Sequence, residues 1–200
     1  MANLHFKYGV MGSGKSADLI MNARSCIFKN MQIEVLKPAF DNRFGSDVIK
    51  SRLSNELSIE AQTLPTLKNY NIKPETEVVF IDEIQFFSPA DIDKLVDIVN
   101  THDVLIICYG LMIDSNGHMF PASQHLQEVG ARLTLLESMC QMPNCRHRAT
   151  NHLRFDSQGH VIHEGEQFVL GDNNKENTTY YKSVCQRHFF TMYHGRDYNS

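Results

Sequence analysis

The chain has 200 residues, 42% of them hydrophobic and 21% charged, and a formal net charge of −4 at pH 7. This composition predicts a globular protein with one sizeable core and room for a small appended domain, and it excludes the basic balance of a protein that binds nucleic acid or an anionic membrane. No apolar run approaches the roughly 20 residues that span a bilayer, the first residues lack the layout of a signal peptide, and an odd number of cysteines, five, indicates reduced thiols in the cytoplasm.

The first predicted elements flank a glycine-rich stretch at residues 9–16, which reads GVMGSGKS. This stretch fits the P-loop pattern of Gly, four residues of any type, Gly, Lys and Ser or Thr. Leu4, Phe6 and Tyr8 alternate with polar residues and predict a strand before it. A helix is predicted after Ser16, because the following apolar residues share one face: Leu19, Ile20, Ala23, Cys26 and Ile27. The alternative is a glycine-rich turn that joins a strand to a helix without binding anything.

Each part of a P-loop has a chemical purpose. The glycines let backbone N–H groups surround phosphate oxygens, and the positive end of the following helix points at the phosphates. Lys15 reaches the β- and γ-phosphates, while the hydroxyl of Ser16 is offered to Mg²⁺. The pattern therefore predicts a site for the phosphates of ATP formed by Gly9, Val10, Met11, Gly12, Ser13, Gly14, Lys15 and Ser16.

A second strand is predicted at residues 32–36, followed by a polar loop over residues 38–56. Asp41 and Arg43 lie two positions apart in this loop and face the same way if the chain is extended. One could then hold a metal-bound water and the other a phosphate. A solvated ion pair on a surface loop accounts equally well for the spacing.

The most apolar strand is predicted at residues 78–81, directly before Asp82 and Glu83. An unbroken apolar run is typical of a strand that is buried on both faces of a parallel sheet. A carboxylate at the end of such a strand, downstream of a P-loop, indicates the second half of a nucleoside-triphosphate site. Asp82 is suited to hold Mg²⁺ through water, and Glu83 to accept a proton from an attacking hydroxyl or water. An acidic loop or helix start is the alternative.

The remaining elements complete an α/β pattern. Ser88, Pro89 and Asp91 predict a helix start, residues 104–108 predict another buried strand, and a further helix is expected at residues 124–129. The order of strands and helices predicts a P-loop NTPase-like fold, with a mostly parallel sheet and helices on both faces. Ligands in such folds bind at the carboxyl ends of the strands.

Two short-spaced pairs of metal-binding residues lie near the end of the chain. They are Cys140 with Cys145 and Cys185 with His188, about forty residues apart, which is the pattern of a structural zinc ribbon. Residues 147–155 and 161–170 are predicted to pair as its hairpin. We therefore expect an α/β nucleotide-binding domain at residues 1–139 and a small β domain at residues 140–200. Buried free cysteines beside a surface histidine are the alternative.

Several motifs then occur in a characteristic order along the chain: the P-loop, FDNRF, VVFIDEIQFF, YGL followed by an aspartate, EGEQ and YYKSVCQRH. Together they resemble the type II thymidine kinase family over nearly the whole chain. This resemblance implies transfer of phosphate from ATP with Mg²⁺ to the 5′-hydroxyl of thymidine, and usually of deoxyuridine. It also implies a homotetramer, inhibition by the end product dTTP, a structural zinc ion and a lasso loop that closes over the nucleoside.

The resemblance also implies roles for individual residues. Catalysis is assigned to Glu83, Lys15 and Arg43. Nucleotide binding extends from the P-loop to Asp82, Glu83, Ile84 and Gln85. The nucleoside is contacted by Met11, Phe86, Leu111, Phe120, Val169 and Tyr181. Zinc is held by Cys140, Cys145, Cys185 and His188, and magnesium by Ser16, Asp41 and Asp82.

This chain departs from the family pattern at three places. Ser115 follows the loop aspartate, where bacterial members commonly have an aromatic residue, the lasso is longer than usual, and four residues separate the first two metal-binding cysteines. The first two departures leave open a kinase with a different base preference. A P-loop switch or motor, and a zinc-ribbon module that binds nucleic acid, are further alternatives, although the chain shows no basic patch for the latter.

Overall fold

A parallel β-sheet of six strands lies at the centre of the structure, a computed structural model that describes residues 3–39, 47–51, 56–163 and 179–196. In chain order the elements are β1 (Leu4–Tyr8), α1 (Lys15–Phe28), β2 (Ile33–Pro38), β3 (Val48–Lys50), β4 (Ser58–Glu60), β5 (Gln62–Leu64), β6 (Val78–Ile81), α2 (Pro89–Thr101), β7 (Leu105–Gly110), α3 (Pro121–Glu128), β8 (Arg132–Leu135), β9 (Asn151–Phe155), β10 (Tyr180–Val184) and α4 (Gln186–His194). The strand order in the sheet is β5-β2-β6-β7-β1-β8, and neighbouring strands run parallel. The predicted α/β fold is confirmed.

The sheet is covered on both faces, as its apolar strands predict. In β6, Val79 and Ile81 belong to one buried cluster, while Val78 and Phe80 belong to another. The first cluster includes side chains from α2 and α3, and the second includes the buried face of α1. Because successive side chains of a strand point to opposite faces, four consecutive apolar residues satisfy both layers at once.

Helix α2 begins where the sequence predicts. The hydroxyl of Ser88 accepts a hydrogen bond from the Asp91 N–H at 3.2 Å, and the Asp91 carboxylate accepts one from the Ser88 N–H at 2.9 Å. This reciprocal pair is a capping box, and Pro89 occupies the first turn. The cap directs Ile92 and Leu95 into the core.

Two local predictions were wrong. The predicted loop at residues 38–56 contains β3, which pairs with β4 in an antiparallel ladder. Ile27 was placed on the buried face of α1, but it is 52% exposed near the end of that helix. Strand β9 pairs with β10. The predicted hairpin also begins, with an antiparallel bridge between Phe155 and Val161 and a hydrogen bond of 2.9 Å from the Ile162 N–H to the Arg154 carbonyl, and residues 164–170 of that prediction lie outside the described part of the chain.

The C-terminal unit is a two-stranded antiparallel ribbon, β9 and β10, with helix α4 packed beside it. Its small core joins Leu153 and Phe155 of the ribbon to Phe189 of α4. Residues 156–159 form a turn, with Gly159 in a left-handed conformation at φ 87°. Within the described residues, no helix combines the length and apolarity needed to cross a membrane.

Candidate functional site

The glycine-rich stretch forms the turn between β1 and α1. Gly12 and Gly14 have φ values of 75° and 81°, which glycine adopts without a steric penalty. Lys15 is the first residue of α1, and its ammonium group donates hydrogen bonds to the carbonyl oxygens of Gly9 at 3.1 Å and Val10 at 2.9 Å. The loop therefore folds around a positive charge at the amino end of a helix, which is the arrangement that binds phosphate.

Ser16 and Asp82 connect the two halves of the predicted nucleotide site. Asp82 directly follows β6 and is 3% exposed, and its carboxylate accepts a hydrogen bond of 3.1 Å from the Ser16 hydroxyl. These residues are separated by 66 positions in the sequence. Hydroxyl and carboxylate oxygens are the hard ligands that Mg²⁺ prefers, so this pair is chemically suited to hold that ion.

Glu83 lies next to this pair in a strained backbone conformation. Its φ and ψ of 49° and 43° are left-handed, which is uncommon for a residue other than glycine, and such strain is concentrated at functional sites. The Glu83 carboxylate accepts a hydrogen bond of 2.6 Å from the side-chain amide of Gln85. The other end of that amide accepts a hydrogen bond of 3.0 Å from the Leu111 N–H. Gln85 thus fixes Glu83 to the start of the loop after β7.

Gly110 permits this arrangement. A Cβ atom at position 110 would overlap the Oε1 atom of Gln85 and the side chain of Ile84. Sequence reasoning grouped Ile84 and Gln85 with the nucleotide-binding residues. In the structure the Ile84 side chain belongs to the hydrophobic core, and the Gln85 amide is engaged by Glu83 and Leu111. The supporting contacts of Gln85 were not predicted from the sequence.

Four of the six predicted nucleoside-contacting residues meet in one apolar cluster. Leu111 and Phe120 are buried, and Met11 and Phe86 pack against them. The rings of Phe86 and Phe120 meet edge to face, with centroids 6.3 Å apart. These side chains come from three segments, namely the phosphate-binding loop, the turn after β6 and the loop between β7 and α3, and together they form an apolar surface at the phosphate-binding loop.

The ribbon reaches this cluster through β10. The hydroxyl of Ser183 donates a hydrogen bond of 2.5 Å to the carbonyl oxygen of Met11. Tyr181 lies two residues earlier on β10, so its side chain is on the same face of the strand. Ser183 lies within the YYKSVCQRH motif, but nothing in that motif indicated its contact with Met11. The remaining predicted residues, Asp41, Arg43 and Val169, lie outside the described residues.

The predicted metal ligands converge into one cluster. The ligand atoms of Cys140, Cys145, Cys185 and His188 all lie within 4.8 Å of one another. The sulfur atoms of Cys145 and Cys185 are 3.8 Å apart, and Nδ1 of His188 lies 3.4 Å from the Cys140 sulfur and 3.2 Å from the Cys185 sulfur. Ligands at tetrahedral angles with bonds of roughly 2.3 Å to sulfur and 2.0–2.1 Å to nitrogen would be separated by about 3.5–3.8 Å. The cluster is therefore compatible with a structural metal ion.

The local hydrogen bonds also favour the thiolate form of one of these cysteines. The backbone N–H of His147 lowers the pKa of Cys145 to about 6. Burial instead raises the pKa of Cys140. Since the thiolate is the form that binds metal, Cys145 is already prepared for ligation near neutral pH.

Sequence comparisons with known proteins point to one family. A family model described as thymidine kinase matches residues 2–189. The thymidine kinase of Photorhabdus laumondii is 33% identical over 194 residues, covering 94% of this chain and 92% of that protein. The thymidine kinase of Rhodopirellula baltica is 34% identical over 195 residues, covering 94% and 88%. Among solved structures, the Pif1 helicase from Candida albicans has a TM-score of 0.42 and 18% identity, over 66% of this chain and 36% of the helicase.

Proposed function

The chain belongs to the thymidine kinase family, and we propose that it transfers the γ-phosphoryl group of ATP to the 5′-hydroxyl of thymidine, and also of deoxyuridine, in nucleotide salvage. The observation that carries this proposal is the junction at the end of β6. There the Ser16 hydroxyl contacts Asp82 at 3.1 Å, and the adjoining Glu83 carboxylate is held by Gln85 at 2.6 Å. Ser16 and Asp82 can thus act at the phosphates, while Glu83 acts at the attacking hydroxyl.

On the donor side, the P-loop N–H groups and Lys15 bind the ATP phosphates. Ser16 and Asp82 would hold Mg²⁺ there, with Asp41 as a further member of the set. When bound, this ion neutralises charge on the transferred phosphoryl group. Phosphoryl transfer depends mainly on positioning and charge neutralisation, so these residues are expected to account for most of the rate enhancement. Arg43 is proposed to add positive charge near the same phosphates.

On the acceptor side, Glu83 takes the proton of the 5′-hydroxyl as the new oxygen–phosphorus bond forms. The bond from the γ-phosphorus to the bridging oxygen breaks, and ADP leaves. The apolar cluster around Leu111 and Phe120 packs against the nucleobase, which orients the hydroxyl toward Glu83. Tyr181 and Val169 are proposed to contact the nucleoside from the lasso segment.

We propose that zinc, held by the three cysteines and His188, braces the unit at residues 140–200 against the nucleotide domain at residues 1–139. The Ser183–Met11 hydrogen bond supports this proposal, because it connects the ribbon to the P-loop. From the family resemblance we also propose a homotetramer, inhibition by dTTP and a cytoplasmic location.

The test is a Glu83→Gln variant, which keeps the shape of the side chain but removes its basicity. We expect ATP binding to be retained and turnover with thymidine to fall by on the order of 10²–10⁴. Glu75→Gln, at an exposed position, is the matched control and should match the unaltered protein. Near-normal turnover in Glu83→Gln would contradict the role of Glu83. A panel of thymidine, deoxyuridine, deoxycytidine and purine deoxynucleosides tests the substrate, and failure to phosphorylate thymidine would refute the proposed function.

A further inference from the structure

A buried histidine in the ribbon has a polar atom without a partner. His152 is 1% exposed, and within the described part of the chain its Nδ1 atom has no hydrogen-bond partner. Buried polar atoms are nearly always hydrogen-bonded, because leaving one unpaired costs the free energy of its lost hydration. An exception of this kind has a physical cause, and a ligand that supplies the missing partner is one such cause.

The register of the ribbon determines which way His152 faces. His152 on β9 lies directly opposite Ser183 on β10, and Arg154 lies opposite Tyr181. Directly opposed residues of an antiparallel pair place their side chains on the same face. Since the Ser183 hydroxyl contacts the Met11 carbonyl, that face is turned toward the P-loop. The His152 and Tyr181 rings also meet edge to face, with centroids 6.1 Å apart.

Unpaired polar atoms are concentrated around this junction. Among the described residues, four buried side-chain atoms lack a hydrogen-bond partner: Ser13 Oγ, Tyr70 Oη, His152 Nδ1 and Arg154 Nε. Ser13 lies in the P-loop, while His152 and Arg154 are alternate residues of β9 and share the face that is turned toward it. Two of the four atoms thus lie on the ribbon face that is turned toward the P-loop, which is consistent with a polar ligand at that face.

The charge state of His152 suits it for contact with an uncharged base. Burial, and to a smaller extent the positive charge of Lys15, lower the pKa of His152 to about 4, while Asp114 acts in the opposite direction. The imidazole is therefore neutral at pH 7. A neutral imidazole has one nitrogen that donates and one that accepts a hydrogen bond, so it can distinguish the functional groups at the edge of a pyrimidine.

We propose that His152 is a specificity-determining residue of the nucleoside site, and that its unpaired Nδ1 atom forms a hydrogen bond with the pyrimidine base. This proposal rests on the proposed function, because the apolar cluster that includes Met11, which the Ser183 hydroxyl contacts, is taken to bind the base. The carbonyl at position 4 of thymine accepts a hydrogen bond, whereas the amino group of cytosine donates one. With the proton on Nδ1, the imidazole donates to the thymine carbonyl but meets a second donor at the cytosine amino group, so it favours thymine. A site that pairs with a polar group also rejects an analogue that leaves it unpaired.

The experiment compares His152→Leu, which removes both nitrogens, with His152→Asn, which retains a polar group near the position of Nδ1. His152→Leu should lower kcat/KM for thymidine by about tenfold, mainly through KM, as expected for one hydrogen bond. It should also weaken the preference for thymidine over deoxycytidine, with deoxycytidine measured as a competitor. His152→Asn should recover part of both effects, and KM for ATP should stay constant. The control is His160→Leu, at an exposed position of the same unit.

A binding measurement separates direct contact from a purely structural role. The imidazole nitrogens of His152 are observed by nitrogen-15 NMR and assigned by their disappearance in His152→Asn. Saturating thymidine, added without ATP, should shift the Nδ1 resonance. Unchanged resonances, or a kcat/KM for thymidine within twofold of normal in His152→Leu, would overturn the proposal. An unaltered protein that phosphorylates no nucleoside would overturn the proposed function and this inference together, so the two failures are distinguishable.

Discussion

Replacing Gln85 by leucine tests whether Glu83 must be held in place. Leucine has nearly the same size, but it cannot donate to the Glu83 carboxylate or accept from the Leu111 N–H, contacts of 2.6 Å and 3.0 Å. A buried N–H without a partner costs about 1–3 kcal/mol, and a hydrogen bond to a charged group contributes about 1.5–3 kcal/mol. Leucine regains part of this through apolar burial, so we expect a net loss of about 2–4 kcal/mol. For a chain of this length, that loss lowers Tm by about 5–15 °C.

The effect on catalysis should exceed the effect on binding. A Glu83 carboxylate that is free to rotate is misplaced relative to the 5′-hydroxyl, and turnover should fall by on the order of 10–10². KM for ATP should change little, because the P-loop contacts are untouched. The assay is steady-state kinetics with thymidine at about 20 °C, together with calorimetric melting. This temperature lies well below the Tm that a typical domain would retain after the expected loss.

A second variant separates the two hydrogen bonds of Gln85. Gln85→Glu retains an acceptor for the Leu111 N–H, but it places a carboxylate against that of Glu83, and like charges repel. We expect Gln85→Glu to turn over no faster than Gln85→Leu, and Gln62→Leu, at an exposed position of β5, to be normal in both assays. Normal turnover in Gln85→Leu, at a temperature where it is folded, would refute the view that Gln85 positions Glu83.

Two further predictions concern the metal cluster and the contact between α2 and α3. Chelation should release one zinc ion per chain, destabilise the ribbon and raise KM for thymidine more than KM for ATP. The control variant Cys26→Ser should keep its zinc. Metal analysis that finds no zinc in fully active protein would contradict this prediction. His125 lies 2.8 Å from Asp93 and 2.9 Å from Glu128, and these hydrogen bonds raise its pKa above 6.5. The two hydrogen bonds stabilise the protonated imidazole in the folded state. Their contribution to the free energy of unfolding is therefore complete below pH 6.5 and is lost as the pH rises through the raised pKa. His125→Gln should therefore lower the free energy of unfolding more at about pH 5.5 than at about pH 8.5, and equal losses would contradict the argument.

The parts of the fold that were predicted correctly are those with a local signal. The P-loop is recognisable because its glycines adopt backbone conformations that other residues avoid, and β6 because four consecutive apolar residues match a strand between two helical layers. The metal cluster was also predictable, since thiolates and imidazole at short spacing are the ligands of a tetrahedral zinc site.

The wrong or missing predictions depend on contacts between distant segments. The pairing of β9 with β10 was not predicted, because it joins two segments that carry no local signal for each other. Helix α4 was missed because Cys185 provides no side-chain cap hydrogen bond and aromatic residues dominate its sequence. The role of Gln85 was missed because glutamate has no local preference for the left-handed backbone that Glu83 adopts. The sequence therefore did not indicate how Gln85 holds Glu83.

The hydrogen bond between Ser183 and Met11 also bears on how this protein is made. It joins residues 172 positions apart, so a ribosome that adds about 5–20 residues per second synthesises the second partner roughly 9–34 s after the first. During that interval the strands of the central sheet, which pair among residues 4–135, can assemble without the ribbon. The P-loop is consequently formed early, while the surface that covers Met11 is added late. Nucleoside phosphorylation should therefore begin only after the ribbon docks, however early the nascent chain acquires the ability to bind ATP.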